Sequence, residues 1–95
     1  MPAYVIAVVD VTDAEKYQAY AKEAGPATLR YGGRYVVRGG PFEVLEGSFP
    51  GSRFVVIEFP SLDQAKAFYH SPEYQAARKH RLGGAGFSMV AVEGA

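Results

Sequence analysis

Two stretches of this chain are apolar at successive positions instead of alternate ones, and each leads into a segment of helical period. Tyr4 to Val11 (YVIAVVDV) and Arg53 to Phe59 (RFVVIEF) are rich in valine, isoleucine and phenylalanine, residue types that suit strands. In the first, Tyr4, Ile6, Val8 and Asp10 point one way and Val5, Ala7, Val9 and Val11 the other. A strand wet on one side alternates, so both stretches are expected to be covered on both faces. Each carries a single acid near its end, Asp10 in one and Glu58 in the other.

The helices follow from their caps. Thr12-Asp13-Ala14-Glu15 matches a capping box, with Thr12 as the cap, and predicts a helix from there to about Tyr31. Ala14, Tyr17, Ala21 and Ala24 form its inward stripe. Gly25-Pro26 predicts a kink or restart, because proline has no amide to donate, and Gly32-Gly33 ends the helix. Ser61-Leu62-Asp63-Gln64 is a second capping box, and Leu62, Ala65, Phe68 and Tyr69 line one face of the helix it opens. Ser71-Pro72-Glu73 starts a further helix, which closes on Arg78-Lys79-His80-Arg81 and is stopped by Gly83-Gly84.

Between these lie Arg34–Arg38 (RYVVR), a strand, and Gly39-Gly40-Pro41, a turn or bulge. Phe42–Glu46 (FEVLE) alternates and is expected to extend the same edge, ahead of a loop from Gly47 to Ser52. The strand opening at Arg53 pairs back on Arg34–Arg38 as a long hairpin, and Phe87–Glu93 is the last strand. The order strand, helix, strand, strand, helix, strand describes two split βαβ units. It predicts an α+β fold of ferredoxin-like type, a four-stranded antiparallel sheet with helices on one face, formed by residues 1–95 as a single domain.

Helices on one face leave the second apolar face of the sheet bare, and large bare patches are uncommon on monomers. A second copy packed sheet to sheet about a two-fold axis is the expected cover. Composition narrows the rest. The 95 residues contain no cysteine, and ten basic residues balance ten acidic ones. Disulfides, thiolate metal sites and cysteine nucleophiles are excluded, and no long-range field favours nucleic acid or an anionic membrane. The start of the chain does not read as a signal peptide and no stretch approaches a membrane span, so a cytoplasmic protein is expected.

The chain resembles the family catalogued as domain of unknown function 1330. The residues that carry the resemblance are Tyr31-Gly32-Gly33-Arg34, Arg38-Gly39-Gly40, Glu43-Val44-Leu45-Glu46-Gly47, Val56-Ile57-Glu58-Phe59-Pro60-Ser61 and Ser71-Pro72-Glu73-Tyr74. The resemblance implies the dimeric α+β barrel form of the ferredoxin-like fold. It brings no established activity. The wider superfamily includes cofactor-free quinol oxygenases, haem-degrading enzymes and small-lactone isomerases, and no motif here matches their catalytic residues.

Candidate chemistry therefore rests on ionisable groups set in strands. Asp10, Arg38 and Glu58 are the candidate catalytic residues: a charge on a covered face is costly unless paired. Alternation puts Arg38 on the face of Val36 and Glu58 on that of Phe54 and Val56. The group reads either as an ion pair closing the barrel rim or as a polar site in which Arg38 holds a carboxylate or enolate while an acid moves protons. Tyr31, Tyr74, Arg78 and His80 are candidate ligand-binding residues at a pocket mouth, although cations in a last helical turn are usually solvated partners of the helix dipole. His70 and His80 lack a carboxylate at metal-ligand spacing, so no metal and no cofactor is expected. The glycine pairs do not precede a helix as phosphate loops do. Two functions are in view: a cofactor-free enzyme acting on a small aromatic or carbonyl compound in the cleft between sheet and helices, or a non-catalytic small-molecule-binding or dimerisation module.

Overall fold

The two valine-rich stretches become neighbouring central strands of one antiparallel sheet. The structure is a computed structural model that describes residues 1–95. In chain order it contains β1 (Ala3–Val11), α1 (Ala14–Arg30), β2 (Arg34–Arg38), β3 (Arg53–Phe59), α2 (Leu62–His70), α3 (Pro72–Arg81) and β4 (Ala85–Glu93). The strands run in the order β2-β3-β1-β4, with every neighbouring pair antiparallel. This is the ferredoxin-like α+β arrangement, with three helices because Ser71 splits the second helical segment.

Register decides which residues the helices cover. Val5 lies opposite Ile57 and Ala91, and Ala7 opposite Val55 and Met89. Ala3, Val5, Ala7 and Val9 are accordingly buried, as are Ile57 and Phe59. From the helix layer, Tyr20, Ala24, Ala27, Ala65, Phe68, Tyr74 and Ala77 close over them. Phe59 and Phe68 meet with ring centroids 5.1 Å apart, and Phe68 and Tyr74 at 4.7 Å. Removing an aromatic side chain of this kind from water contributes about 1.5–3 kcal/mol, so these rings dominate the core.

The other face is apolar and open in the single chain. Tyr4, Ile6 and Val8 pair with Glu58, Val56 and Phe54 across β3, and with Val92, Val90 and Ser88 across β4. Val90 is 57% exposed and Val37 38%. Phe42 and Phe49 fold back onto this face and meet Phe54 edge-on, at 4.8 and 5.1 Å.

Several local expectations are corrected. The cap of α1 is Asp13, whose carboxylate accepts from the Lys16 amide; Thr12 is displaced because its own amide and that of Asp13 both donate to the Gly84 carbonyl. Helix α1 runs unbroken through Pro26. Lys22, whose carbonyl loses its amide partner to the proline, lies with Pro26 on the exposed side, where such a group is open to solvent. The buried stripe of α1 is Tyr20, Ala24, Gly25, Ala27 and Thr28, with Tyr17 and Ala21 half-buried and Ala14 exposed. Phe42–Glu46 is not a strand: residues 41–50 are exposed and unpaired. The amide of Gly39 (φ +73°) donates to the Phe54 carbonyl at 2.8 Å, the backbone turns there into a conformation that favours glycine, and Pro41 cannot resume the ladder.

The second capping box forms by half. Ser61 Oγ accepts from the Gln64 amide at 3.1 Å, but the Gln64 side chain donates to the Tyr31 carbonyl at 2.8 Å, fastening α2 to the end of α1. Ser71 serves two helices: its hydroxyl donates to the Phe68 carbonyl and accepts from the Tyr74 amide.

Candidate functional site

The bulge in β2 reorganises the predicted polar group. Tyr35 pairs with Ile57 and Val37 with Val56, leaving Val36 without a partner. Such an extra residue reverses the facing of every later position in its strand. Arg38 therefore lies opposite Val55 on the helix face, with its guanidinium 4.1 Å from the Tyr35 ring centroid. The structure does not bring Arg38 to Glu58. Glu58 stays on the open face, where Arg34 Nη2 donates to it at 2.8 Å and the Tyr4 hydroxyl at 3.1 Å. Asp10 shares that face, but pairs with Gly86 at the far end of β1. It lies six positions along β1 from Tyr4, about 20 Å along a strand. The predicted trio is thus dispersed over two faces and two ends of the sheet.

The predicted ligand-binding residues also part company. The Tyr31 hydroxyl donates to Glu73 at 2.9 Å, and Arg30 meets the other oxygen of that carboxylate at 3.1 Å, a surface cluster joining α1 to α3. His80 pairs with Glu23 on the outer side of the helices. Tyr74 is wholly buried, its hydroxyl 3.0 Å from that of Tyr20. Of these four, only Arg78 lines the cavity beside β4.

That cavity, of about 330 Å³, opens between the outer strand β4 and the α2–α3 pair. Val5, Phe87, Met89 and Ala91 from the sheet and Ala65 from α2 give it an apolar wall; Lys66, His70, Arg78 and Arg81 supply its charges and donors, and no acid lines it. Arg81 is the residue that sequence reasoning passed over. Its guanidinium lies 3.7 Å from the Phe87 ring centroid and 5.3 Å from that of Tyr20, and Nη2 makes a long bond, 3.4 Å, to the Tyr74 hydroxyl. The signal was present: Tyr74, Ala77 and Arg81 fall at i, i+3 and i+7, one face of a helix, and all three are buried. A smaller cavity of about 30 Å³ lies under α1, where Arg53 Nε donates to the Tyr17 hydroxyl at 3.0 Å beside Arg38 and Tyr35.

Burial, then Tyr74 beside it, pushes the Tyr20 hydroxyl far above the ordinary phenol value. The hydrogen bond from Arg34, then that from Tyr4, holds the Glu58 carboxyl below its usual range, and Tyr4 is raised in turn. Glu73 is lowered by its own backbone amide and by Tyr31. A carboxyl whose folded-state pKa is depressed stabilises the fold above its unfolded value, about 4.3, and that contribution disappears as pH falls through the folded value. Urea unfolding at pH 6, 4 and 3 should show stability falling with acid, and Glu58→Gln should shallow that slope while leaving Glu73 its share. An unchanged slope would show that the Arg34–Glu58–Tyr4 group does not hold its geometry in solution.

No group of three histidine, cysteine, aspartate or glutamate side chains is placed to hold a metal ion, and no helix is long and apolar enough to cross a membrane. A sequence model described as Domain of unknown function (DUF1330) matches residues 2–95. The chain belongs to the DUF1330 family. No functionally curated protein matches it. Among solved structures, this DUF1330 chain is similar to a protein of unknown function from Rhodopseudomonas palustris, 24% identical, with a TM-score of 0.78 over 99% of this chain and 82% of that one. It is similar also to a Nitrosomonas europaea protein provisionally named an antibiotic biosynthesis monooxygenase, 16% identical with a TM-score of 0.60 over 99% and 98% of the two chains. A Bacteroides fragilis protein, described as dimeric, of unknown function and ferredoxin-like in fold, is 20% identical with a TM-score of 0.56 over 98% and 96%. At these identities the likeness is one of fold, and it places the DUF1330 chain among ferredoxin-like proteins.

Proposed function

We propose that this DUF1330 protein is a homodimer, packed sheet to sheet, that binds a small organic molecule in the cavity between β4 and the α2–α3 pair of each subunit. The cavity carries the reading: its volume of about 330 Å³ lies at the lower end of the range of small-molecule sites, and an apolar wall with a few convergent polar groups is their usual make-up. Dimerisation is supported by the open apolar face and by the Bacteroides fragilis neighbour, which is described as dimeric. Packing through that face would cover Val90 at one edge of the cavity and leave its helix-side wall, from Ala65 to Arg81, free in both copies.

Binding is favoured over catalysis because Asp10 and Glu58 lie on the opposite face of the sheet and Arg38 under α1. Among the groups lining the cavity, His70 is the side chain of the type most often used for general acid–base work. The enzyme reading, a cofactor-free reaction on an aromatic or carbonyl compound, draws on the name given to the Nitrosomonas europaea protein and would work through His70. A ligand-observed NMR screen of small aromatic compounds tests the binding reading, with Ala91→Phe as the blocked control. Ala91 lies on β4 at the cavity wall and is exposed to it, so a phenyl ring there should fill the space and abolish binding with the dimer intact. Compounds that bind the variant as well as the original protein would place their site elsewhere and refute the proposal.

A further inference from the structure

The cavity holds a buried cation that the protein does not neutralise. Arg81 is 7% exposed, and its Nε is buried without a hydrogen-bond partner. No carboxylate lies within ion-pair distance of its guanidinium; the acids that pair, Glu73, Glu58 and Glu23, take Arg30, Arg34 and His80. What holds Arg81 is one long bond to a neutral tyrosine and the faces of Phe87 and Tyr20. Buried charges are generally paired, because desolvation without a partner is costly. Ring faces offset part of that cost for a guanidinium, but they leave its in-plane N–H donors free for an acceptor. Three further basic side chains, Lys66, His70 and Arg78, border the same cavity.

We infer that the ligand is a small organic carboxylate, its charged end paired with the Arg81 guanidinium and its apolar body against Phe87, Met89 and Ala91. The inference rests on the binding reading above and adds the chemical class. A planar carboxylate matches the fork of guanidinium donors. Arg78, one turn earlier on α3 than Arg81, faces the same cavity with Lys66; the three cations together draw an anion inward, and the apolar wall rejects a fully solvated inorganic one. The buried, unpaired Nε shows that the protein leaves this guanidinium short of acceptors, and the part of Arg81 that borders the cavity is where such a carboxylate would supply one.

Benzoate and benzamide are close in shape and differ in charge, which separates this inference from the reading beneath it. Calorimetric titration of each into the unaltered dimer at low ionic strength should give benzoate an advantage of about tenfold or more, the scale of one charge-assisted hydrogen bond. Arginine side-chain NMR should show the Arg81 Nε–H resonance moving with benzoate, and Arg81→Met should erase the preference. Should that variant fail to fold, the resonance shift decides. Equal affinities, or benzoate binding without movement of that resonance, overturn the carboxylate assignment while leaving a small-molecule cavity standing. Failure of both probes to bind overturns both.

Discussion

Replacing Val56 with aspartate should break the proposed sheet-to-sheet dimer into monomers at micromolar concentration. Val56 sits in the middle of the open face, opposite Ile6 on one side and Val37 on the other. Val90 lies beyond Ile6 in the same row. In the single chain these four are half-buried or exposed, and a stable interface buries about 800 Å² on each partner. A two-fold interface repeats the substitution, so two carboxylates would enter the same apolar contact. Each costs several kcal/mol to bury even after relaxation, and about 1.4 kcal/mol is a factor of ten in affinity. The dimer should weaken by at least about a thousandfold. The free subunit should tolerate the change, because a carboxylate at this half-buried position reaches water. Sedimentation or light scattering reads the outcome, with Leu29→Asp as control: Leu29 is 66% exposed on α1, on the far side of the helix layer, and its substitution should leave the dimer intact. A monomeric starting protein, or a dimeric Val56→Asp variant, would remove sheet-to-sheet packing from the account.

The open apolar face was legible because β1 and β3 are apolar at odd and even positions alike, a pattern that one layer of helices cannot absorb. Element order was legible for a related reason: serine caps and glycine stops stand at the ends of apolar runs, where local chemistry and tertiary packing agree. The candidate site was not. Alternation assigns faces only while the ladder stays in register, and nothing in Arg34-Tyr35-Val36-Val37-Arg38 marks Val36 as the bulged residue. One unpaired residue sent Arg38 to the helix side and left Glu58 to Arg34. Phe42–Glu46 mimics a strand by its alternation, yet its apolar side chains serve a loop that folds Phe42 onto Phe54. Arg81 was hidden by a sound generalisation, that cations in a last helical turn face water and complement the dipole. Helical period argued otherwise, since the buried face running through Tyr74 and Ala77 arrives at Arg81, and in a short helix packed on a sheet the period prevailed.

The second large effect falls on Tyr74, where the core and the cavity meet. Its ring is fully buried against Phe68, Tyr69 and Tyr20, at centroid distances of 4.7, 5.4 and 6.0 Å, and its hydroxyl links that of Tyr20 to Arg81. Tyr74→Ala removes the ring as well as the link. Truncating a buried aromatic costs about 3–5 kcal/mol, which in a domain of this size lowers Tm by roughly 15–30 °C. Tyr74→Phe keeps the ring and removes the hydroxyl alone. Tyr20 then loses its buried partner and Arg81 the one side-chain acceptor it has, a loss of about 1–3 kcal/mol. Thermal melts of the two variants therefore separate packing from polar satisfaction. If phenylalanine costs nothing, the Arg81 guanidinium draws its partner from water in the cavity, and the case for a carboxylate there weakens with it. If phenylalanine costs nearly as much as alanine, the tyrosine pair with its arginine holds α1 to α3 more firmly than the aromatic contacts do. An intermediate cost that benzoate reverses, by supplying the acceptor the variant lacks, would join the stability of the fold to the occupancy of its cavity.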